Sequence, residues 1–249
     1  MLFYKIRKGD YPRYSIHIVI QHFLMAVCFA VLVITGIPLK YYDAQWAYWL
    51  NSALGGIVVT RIIHRVAACV MMFSGGYHLM TIIIGPMMAI WRKRFNVRRT
   101  MIPLPKDFVD FVQDIEYFLG LRSTRPAMEK FCYKQKFHYL AAFWGNAVLI
   151  ASGLTLWFPE QAAQILPHLR LTVDIFRLLH SDEAVLAMLT ILVWHLYNVH
   201  FAPGRFPIQW LFLTGRITKD HLIEEHFMEY QRLVNEGAIK EAEPTEDAE

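Results

Sequence analysis

Charged residues and cysteines are scarce in this chain of 249 residues. Only 18% of the residues are charged, below the roughly 25% typical of a soluble domain. The three cysteines, Cys28, Cys69 and Cys132, are isolated. The chain therefore lacks the C-x-x-C-H motif for covalent c-type haem, and no C-x-x-C cluster indicates a zinc or iron–sulfur centre.

Apolar residues are abundant instead, at 55% of the chain, and they form long blocks. A helix needs about 20 apolar residues to cross a hydrocarbon core of about 30 Å. Four blocks reach that length: Ile16–Leu39, Ile57–Ile84, Phe137–Phe158 and Ile175–Phe201. The sequence therefore predicts an all-α membrane protein, a bundle of four transmembrane helices.

The basic residues predict the orientation of these spans. Most of the 25 lysines and arginines precede the first span, lie between the second and third, or follow the fourth. By the positive-inside rule, this multi-pass protein of the lipid bilayer is expected to have both termini in the cytoplasm. The net charge of +4 reflects this asymmetry, and no nucleic-acid partner is predicted.

Two segments outside the spans have helical patterns. In Asp107–Leu119 the apolar residues recur at steps of three and four, which predicts an amphipathic cytoplasmic helix on the surface of the bundle or the membrane. Docking of a soluble partner subunit is the alternative. The charged tail is predicted to be helical from Lys219 to about Asn235. We expect one domain over residues 1–240 and a disordered acidic tail at 241–249.

Histidines lie inside the apolar blocks, and two blocks carry a pair each. His64 and His78 are fourteen residues apart, and His180 and His195 are fifteen apart. At about 1.5 Å per residue, each spacing is ~21–23 Å along a helix, nearly the depth of a bilayer core. Neutral imidazole binds iron, and intramembrane polar residues need a partner. The pattern predicts two haem levels stacked across a membrane.

Depth in the predicted topology sorts these histidines. His64 and His180 map to the outer side at similar depth and can flank one iron. The fifteen-residue spacing rotates His195 by about 60° from His180, so the haems must face different neighbours or a local bulge must intervene. Five histidines map to the cytoplasmic half: His22, His78, His138, His195 and His200.

Charged residues near the predicted outer haem have two interpretations. Arg61, Arg65 and Arg177 could pair with haem propionates, or could extend to lipid headgroups. Asp182 and Glu183 close the run His180-Ser181-Asp182-Glu183 and could orient His180, relay protons or act at a quinone site. Alternatively, they cap the helix electrostatically.

Motifs along nearly the whole chain resemble the di-haem cytochrome b subunit of respiratory formate dehydrogenases, related to those of nickel–iron hydrogenases and thiosulfate reductases. The segments that begin at His180 and His195 are closer to a branch associated with multihaem cytochromes c. The motifs are His22-Phe23, Thr35-Gly36, Arg61-Ile-Ile-His64, Gln135-Lys136, Phe143-Trp144, Ser152-Gly153, Trp157-Phe158-Pro159, His180, His195-Leu-Tyr, Leu213-Thr-Gly-Arg216, and Glu225-His226 before Tyr230.

The resemblance implies a ligand set. His64 and His180 would ligate the outer haem, and His22 and His195 the cytoplasmic one. His78 or His200 are alternative ligands at the cytoplasmic level, or ligands of a third haem. The resemblance also implies a quinone site at the entry to the third span, where the candidates are Tyr133, Lys136 and His138.

The function implied is electron transfer between a periplasmic redox subunit and the membrane quinone pool. The partner would be an iron–sulfur or multihaem cytochrome c subunit, and the quinone menaquinone or ubiquinone. No complete catalytic cycle is expected of this chain alone. The alternative from another class is a metal or proton-coupled transporter lined by histidines, which four spans without an internal repeat disfavour.

Overall fold

The structure is a computed structural model that describes residues 11–165, 173–202, 205–206 and 208–239. Its helices are α1 Ile16–Lys40, α2 Gln45–Ala53, α3 Ile57–Trp91, α4 Pro105–Phe118, α5 Tyr133–Trp157, α6 Pro159–Ile165, α7 Val173–Leu189, α8 Leu211–Thr214, α9 Lys219–Glu225 and α10 Phe227–Asn235. The predicted disordered tail at 241–249 lies outside the described residues.

Four of these helices are long and apolar enough to cross a membrane: α1, α3, α5, and α7 with the π-helical turns that extend it to Phe201. The predicted all-α membrane fold with four spans is confirmed. Helix α3 continues through Pro86 to Trp91. Proline is tolerated inside such helices because neighbouring groups satisfy the freed carbonyl.

The described residues group into two compact units. The bundle unit comprises Tyr14–Lys93 and Ala142–Gly215. The loop–tail unit comprises the described parts of residues 1–13, 94–141 and 216–249. Helix α5 begins in the loop–tail unit and ends in the bundle unit. The prediction of a single domain over residues 1–240 stays a prediction.

Within the bundle unit, α1 packs along α3 and also contacts α2, α7 and α8. The most deeply buried side chains of the spans are small and polar, while large apolar side chains point outward: Phe73 is 78% exposed and Val193 is 69% exposed. A lipid environment explains this distribution, because lipid tails solvate apolar side chains and leave polar groups to find partners inside the protein. The buried polar residues include Gln21, Thr35, Thr60, Ser74 and Ser152.

In the loop–tail unit, strand β1 (Tyr11–Pro12) pairs antiparallel with β2 (Arg216–Ile217). Helix α4 turns its acidic face inward, so that Asp110 and Asp114 are buried, while Phe108 and Phe118 on its apolar face are exposed. The predicted amphipathic helix is present. Which of its faces would pack against the protein was not evident from the sequence. The predicted tail helix is also present, divided at His226 into α9 and α10.

Candidate functional site

The first histidine pair joins two spanning helices of the bundle unit. His64 on α3 and His180 on α7 have ring centroids 6.4 Å apart, and the ring planes are inclined at 72°. Both side chains are half-buried. These are the two histidines that the sequence placed at one depth, and the fold brings their rings together across the bundle.

A threonine–glycine pair on α1 supports His64. Thr35 Oγ1 lies 2.9 Å from His64 Nδ1 and donates its own proton to the carbonyl oxygen of Val31 at 2.7 Å. A Cβ atom at Gly36 would lie 3.2 Å from His64 Cε1. A larger residue at position 36 would therefore push the imidazole ring away from its present place.

A serine–glycine pair on α5 supports His180 in the same way. Ser152 Oγ lies 3.1 Å from His180 Nδ1 and donates to the carbonyl oxygen of Val148 at 2.6 Å. The carbonyl oxygen of Leu149 is also 3.1 Å from His180 Nδ1. A Cβ atom at Gly153 would lie 3.0 Å from His180 Cε1. Each ring of the first pair thus lies against a hydroxyl residue followed by glycine.

The second histidine pair joins α1 to the extension of α7. His22 and His195 have ring centroids 6.2 Å apart, with planes inclined at 38°. The ring of Phe212 lies 6.5 Å from the ring of His22. Among the cytoplasmic-side candidates, the structure therefore places His22 opposite His195, the pair that the sequence resemblance implies.

A π-helical segment accounts for the spacing between His180 and His195. The turns over Thr190–His195 are π-helical. Such a bulge accommodates one extra residue within a helix. The fifteen-residue interval therefore behaves like fourteen residues of α-helix, and His195 keeps a phase suited to the bundle interior. Without the bulge, the two side chains would differ by about 60° around the helix.

The alternative ligands occupy different surroundings. His78 Nδ1 lies 2.9 Å from the side-chain oxygen of Gln21, an interaction between α3 and α1. The ring of His200 packs 5.2 Å from that of Phe212, and its buried Nδ1 has no hydrogen-bond partner among the described residues. His200 thus borders the second pair through Phe212. His138 lies on the first turns of α5, in the loop–tail unit.

The three arginines considered for haem propionates are exposed. The Arg65 guanidinium lies 5.1 Å from the ring centroid of Trp157, a cation–π contact. Arg177 pairs with Asp174 at 3.2 Å, one turn earlier on α7. Arg61 lies one turn before Arg65 on α3. Their role toward propionates stays a prediction.

The two acidic residues after His180 point to different neighbours. Asp182 pairs with Lys40, which also donates to Ser181 Oγ at 2.8 Å. This contact links the end of α1 to α7. The carboxylate of Glu183 lies against Gly145 of α5, where a Cβ atom would be 2.7 Å from Oε1. An acidic side chain inside a membrane bundle is costly, and the role of Asp182 and Glu183 toward protons or quinone stays a prediction.

The quinone candidates Tyr133 and Lys136 anchor α4 to the start of α5. Tyr133 donates to Asp114 at 2.8 Å, and the buried Lys136 pairs with Asp107 at 2.8 Å. Burial alone would raise the pKa of Asp114, but hydrogen bonds from Lys134, Tyr133 and Arg125 lower it below its ordinary value. These contacts give both residues a structural role, and their role toward quinone stays a prediction.

The ring separations match two imidazoles that share one metal ion. A metal–nitrogen distance of about 2.0–2.1 Å plus about 1.1 Å from nitrogen to ring centre puts two opposed imidazole centroids about 6.3 Å apart. The observed separations are 6.4 Å and 6.2 Å. The hydroxyl contacts at Nδ1 of His64 and His180 leave Nε2 as the coordinating atom. Both pairs therefore fit a bis-histidine iron site.

Comparison with known protein families gives one match. The model of prokaryotic cytochrome b561 matches residues 13–207, which include all four spans and both histidine pairs. Comparison with curated proteins gives no match. Membrane proteins of this family bind b-type haem and transfer electrons, so the family and the ring geometry agree on the kind of site.

Proposed function

Because the chain belongs to the prokaryotic cytochrome b561 family, we propose that its two histidine pairs hold two b-type haems. His64 and His180 would ligate one, and His22 and His195 the other. The observation that carries the proposal is the ring-centroid separation of 6.4 Å and 6.2 Å in the two pairs. It is the spacing expected of two imidazoles that would share one iron.

The haems, when bound, supply one-electron redox chemistry. The protein holds the ligand rings, sets their spacing and surrounds them with a dry interior. His180 and His195 lie on one continuous helical segment, which puts the two levels on the order of 20 Å apart. That separation supports electron transfer across most of the membrane, between a periplasmic redox subunit and the quinone pool.

The distribution of basic residues supports the orientation. Among the loops that connect the spans, the one between the second and third spans carries most of the lysines and arginines. The side of the membrane on which this loop lies is therefore proposed to be the cytoplasm. The first pair would then lie toward the periplasm of a bacterial inner membrane, and the second toward the cytoplasm. A periplasmic iron–sulfur or multihaem cytochrome c subunit would exchange electrons at the first pair.

Menaquinone or ubiquinone is proposed as the quinone that exchanges electrons with the protein. The proposed site is the entry of α5, where Tyr133, Lys136 and His138 lie on neighbouring turns. Tyr133 and Lys136 also bond Asp114 and Asp107, and all three residues stay candidates for contact with quinone. A third haem ligated by His78 or His200 would raise the haem count above two.

The test is a haem count combined with single substitutions. A pyridine extract and a reduced-minus-oxidised spectrum of the purified protein should show two b haems per chain. His64→Ala or His180→Ala should each remove one haem, and His22→Ala or His195→Ala should remove the other. His17→Ala is the matched control, because His17 is an exposed histidine on α1 and should leave both haems in place.

Two outcomes would contradict the proposal. Purified protein without a b-type α-band, and without haem in the extract, would refute haem binding altogether. Retention of both haems in His22→Ala, together with loss of one in His78→Ala, would show that the ligand assignment at the second pair is wrong. Orientation is tested separately by reporter fusions at the loop of residues 92–104, which should read as cytoplasmic.

A further inference from the structure

We propose that Thr35 and Ser152 are positioning residues that hold the imidazoles of His64 and His180 as the Nδ1–H tautomer and lower the reduction potential of the haem between them. The inference rests on the proposed ligand role of this pair. It assigns a redox function to the two hydroxyls, which contact neither the iron nor a substrate.

The Thr35 hydroxyl donates its proton to a backbone carbonyl. Its Oγ1 lies 2.7 Å from the carbonyl oxygen of Val31, which can only accept, so the hydroxyl donates there. At the contact of 2.9 Å with His64, Oγ1 must then accept, and Nδ1 must carry the proton. The lone pair of His64 is therefore on Nε2, the atom left for a metal.

Ser152 imposes the same tautomer on His180. Its Oγ lies 2.6 Å from the carbonyl oxygen of Val148 and uses its proton there. His180 Nδ1 is 3.1 Å from Ser152 Oγ and 3.1 Å from the carbonyl oxygen of Leu149. Both neighbours accept, so Nδ1 donates to them. Two helices that are separate in the chain, α1 and α5, thus present the same arrangement to the two rings.

The glycine after each hydroxyl residue leaves room for the histidine ring to approach the hydroxyl. A Cβ atom would lie 3.2 Å from His64 Cε1 at Gly36 and 3.0 Å from His180 Cε1 at Gly153. These distances are tighter than ordinary van der Waals contact, so an alanine would press on the ring. The hydroxyl and the glycine together fix both the tautomer and the position of each imidazole.

A hydrogen bond donated by Nδ1 makes imidazole a stronger electron donor through Nε2. A stronger donor stabilises ferric iron relative to ferrous iron, so it lowers the reduction potential. Removing one hydroxyl should therefore raise the potential of the first-pair haem and leave the second-pair haem unchanged. A backbone carbonyl stays beside each ring, that of Leu32 at His64 and that of Leu149 at His180, so the shift should be of similar size for Thr35 and Ser152.

The experiment compares isosteric and conservative variants in the purified full-length protein. Thr35→Val and Ser152→Ala remove a hydroxyl, whereas Thr35→Ser and Ser152→Thr keep one. Thr60→Val is the matched control, because Thr60 is fully buried in α3 and its hydroxyl donates to the carbonyl oxygen of Gly56 in its own helix. Potentiometric titration of the α-bands and the low-spin ferric EPR signals are the readouts, with haem content measured in parallel.

We expect a positive shift of one midpoint potential and a changed EPR signal from one haem in Thr35→Val, both restored in Thr35→Ser. Thr60→Val should change neither. Two unshifted potentials in Thr35→Val would overturn the inference while leaving the proposed ligands intact. Haem loss in Thr35→Val but not in Thr35→Ser supports the inference. Haem loss in both variants overturns it, since a retained hydroxyl would then not be what holds the site. If His64→Ala keeps both haems, the proposed function itself fails.

Discussion

The two histidine pairs are alike in ring separation and different in how the fold achieves it. His64 and His180 sit on regular α-helix, and each ring lies against a hydroxyl and a glycine from a third and a fourth helix. His22 and His195 meet where α7 has become π-helical, beside Phe212. One site is shaped by neighbouring side chains and the other by the backbone of a ligand helix.

This difference indicates where each site is sensitive to mutation. The first pair depends on the close approach of neighbouring helices, so haem binding there should respond to added side-chain volume. The second pair depends on an unusual helical turn, so haem binding there should respond to a change in the number of residues. The following predictions test that division.

The largest effect is expected from Gly153→Leu. The new side chain would occupy the place of the His180 ring, because even a Cβ atom there is 3.0 Å from Cε1. We expect loss of the first-pair haem, about half of the total, and destabilisation of about 1–3 kcal/mol from overpacking. Haem content and thermal unfolding are the measurements.

The control for that substitution is Gly76→Leu on α3, where no atom of the described residues lies within 4 Å of an added Cβ atom. It should retain both haems. Equal haem loss from Gly76→Leu would mean that any bulky residue in the spans disrupts the protein, and the sensitivity assigned to the first pair would be wrong.

Residue count should matter for the second pair. Deletion of Leu192, an exposed residue in the π-helical segment, should convert the segment to α-helix and keep His195 in phase, so both haems should remain. Deletion of Leu192 and Val193 together should rotate His195 by about 100° and remove the second-pair haem. Retention of both haems after the double deletion would show that the bulge does not set the phase.

A smaller effect is expected from His200→Ala. The ring of His200 packs on Phe212, which also borders His22, so its removal should alter the surroundings of the second pair without removing a ligand. Both haems should remain, and only the second-pair potential should move in a redox titration. Loss of a haem would instead identify His200 as a ligand.

The smallest effect should come from Gly36→Ala, since its Cβ atom would meet His64 Cε1 at 3.2 Å, slightly farther than the 3.0 Å at Gly153. We expect both haems to bind and the EPR signal of the first-pair haem to change as the ring shifts by a few tenths of an ångström. Gly75→Ala, which meets nothing within 4 Å, is the control. An unchanged EPR signal in Gly36→Ala would mean that the His64 ring is not constrained by close contact at position 36.

The four spans could be predicted from the sequence because membrane crossing depends on length and apolar content, both local properties. The amphipathic helix α4 and the helical tail were equally visible. Helices α2 and α6 were not, since short helices between spans leave no periodic signal long enough to recognise. The inward acidic face of α4 was hidden as well, because its basic partners Lys134 and Lys136 lie some twenty to thirty residues further along the chain.

The site was predictable in part. The fifteen-residue interval between His180 and His195 pointed to a bulge or to different facing, and the structure contains the bulge. Thr35-Gly36 and Ser152-Gly153 were visible as motifs, but their contacts with the histidines were not. The signal that could have found them is the repetition of one dipeptide type on two spans.

The sequence by itself determined the all-α class, the four spans and the depth of each histidine, because helical rise and hydrophobic length are properties of single segments. Only the tertiary structure decided which rings face each other and what holds them. The residues that contact His64 and His180 at Nδ1 are 29 and 28 positions away in the chain, on other helices. Their approach depends on helix packing, which a segment's own sequence does not encode.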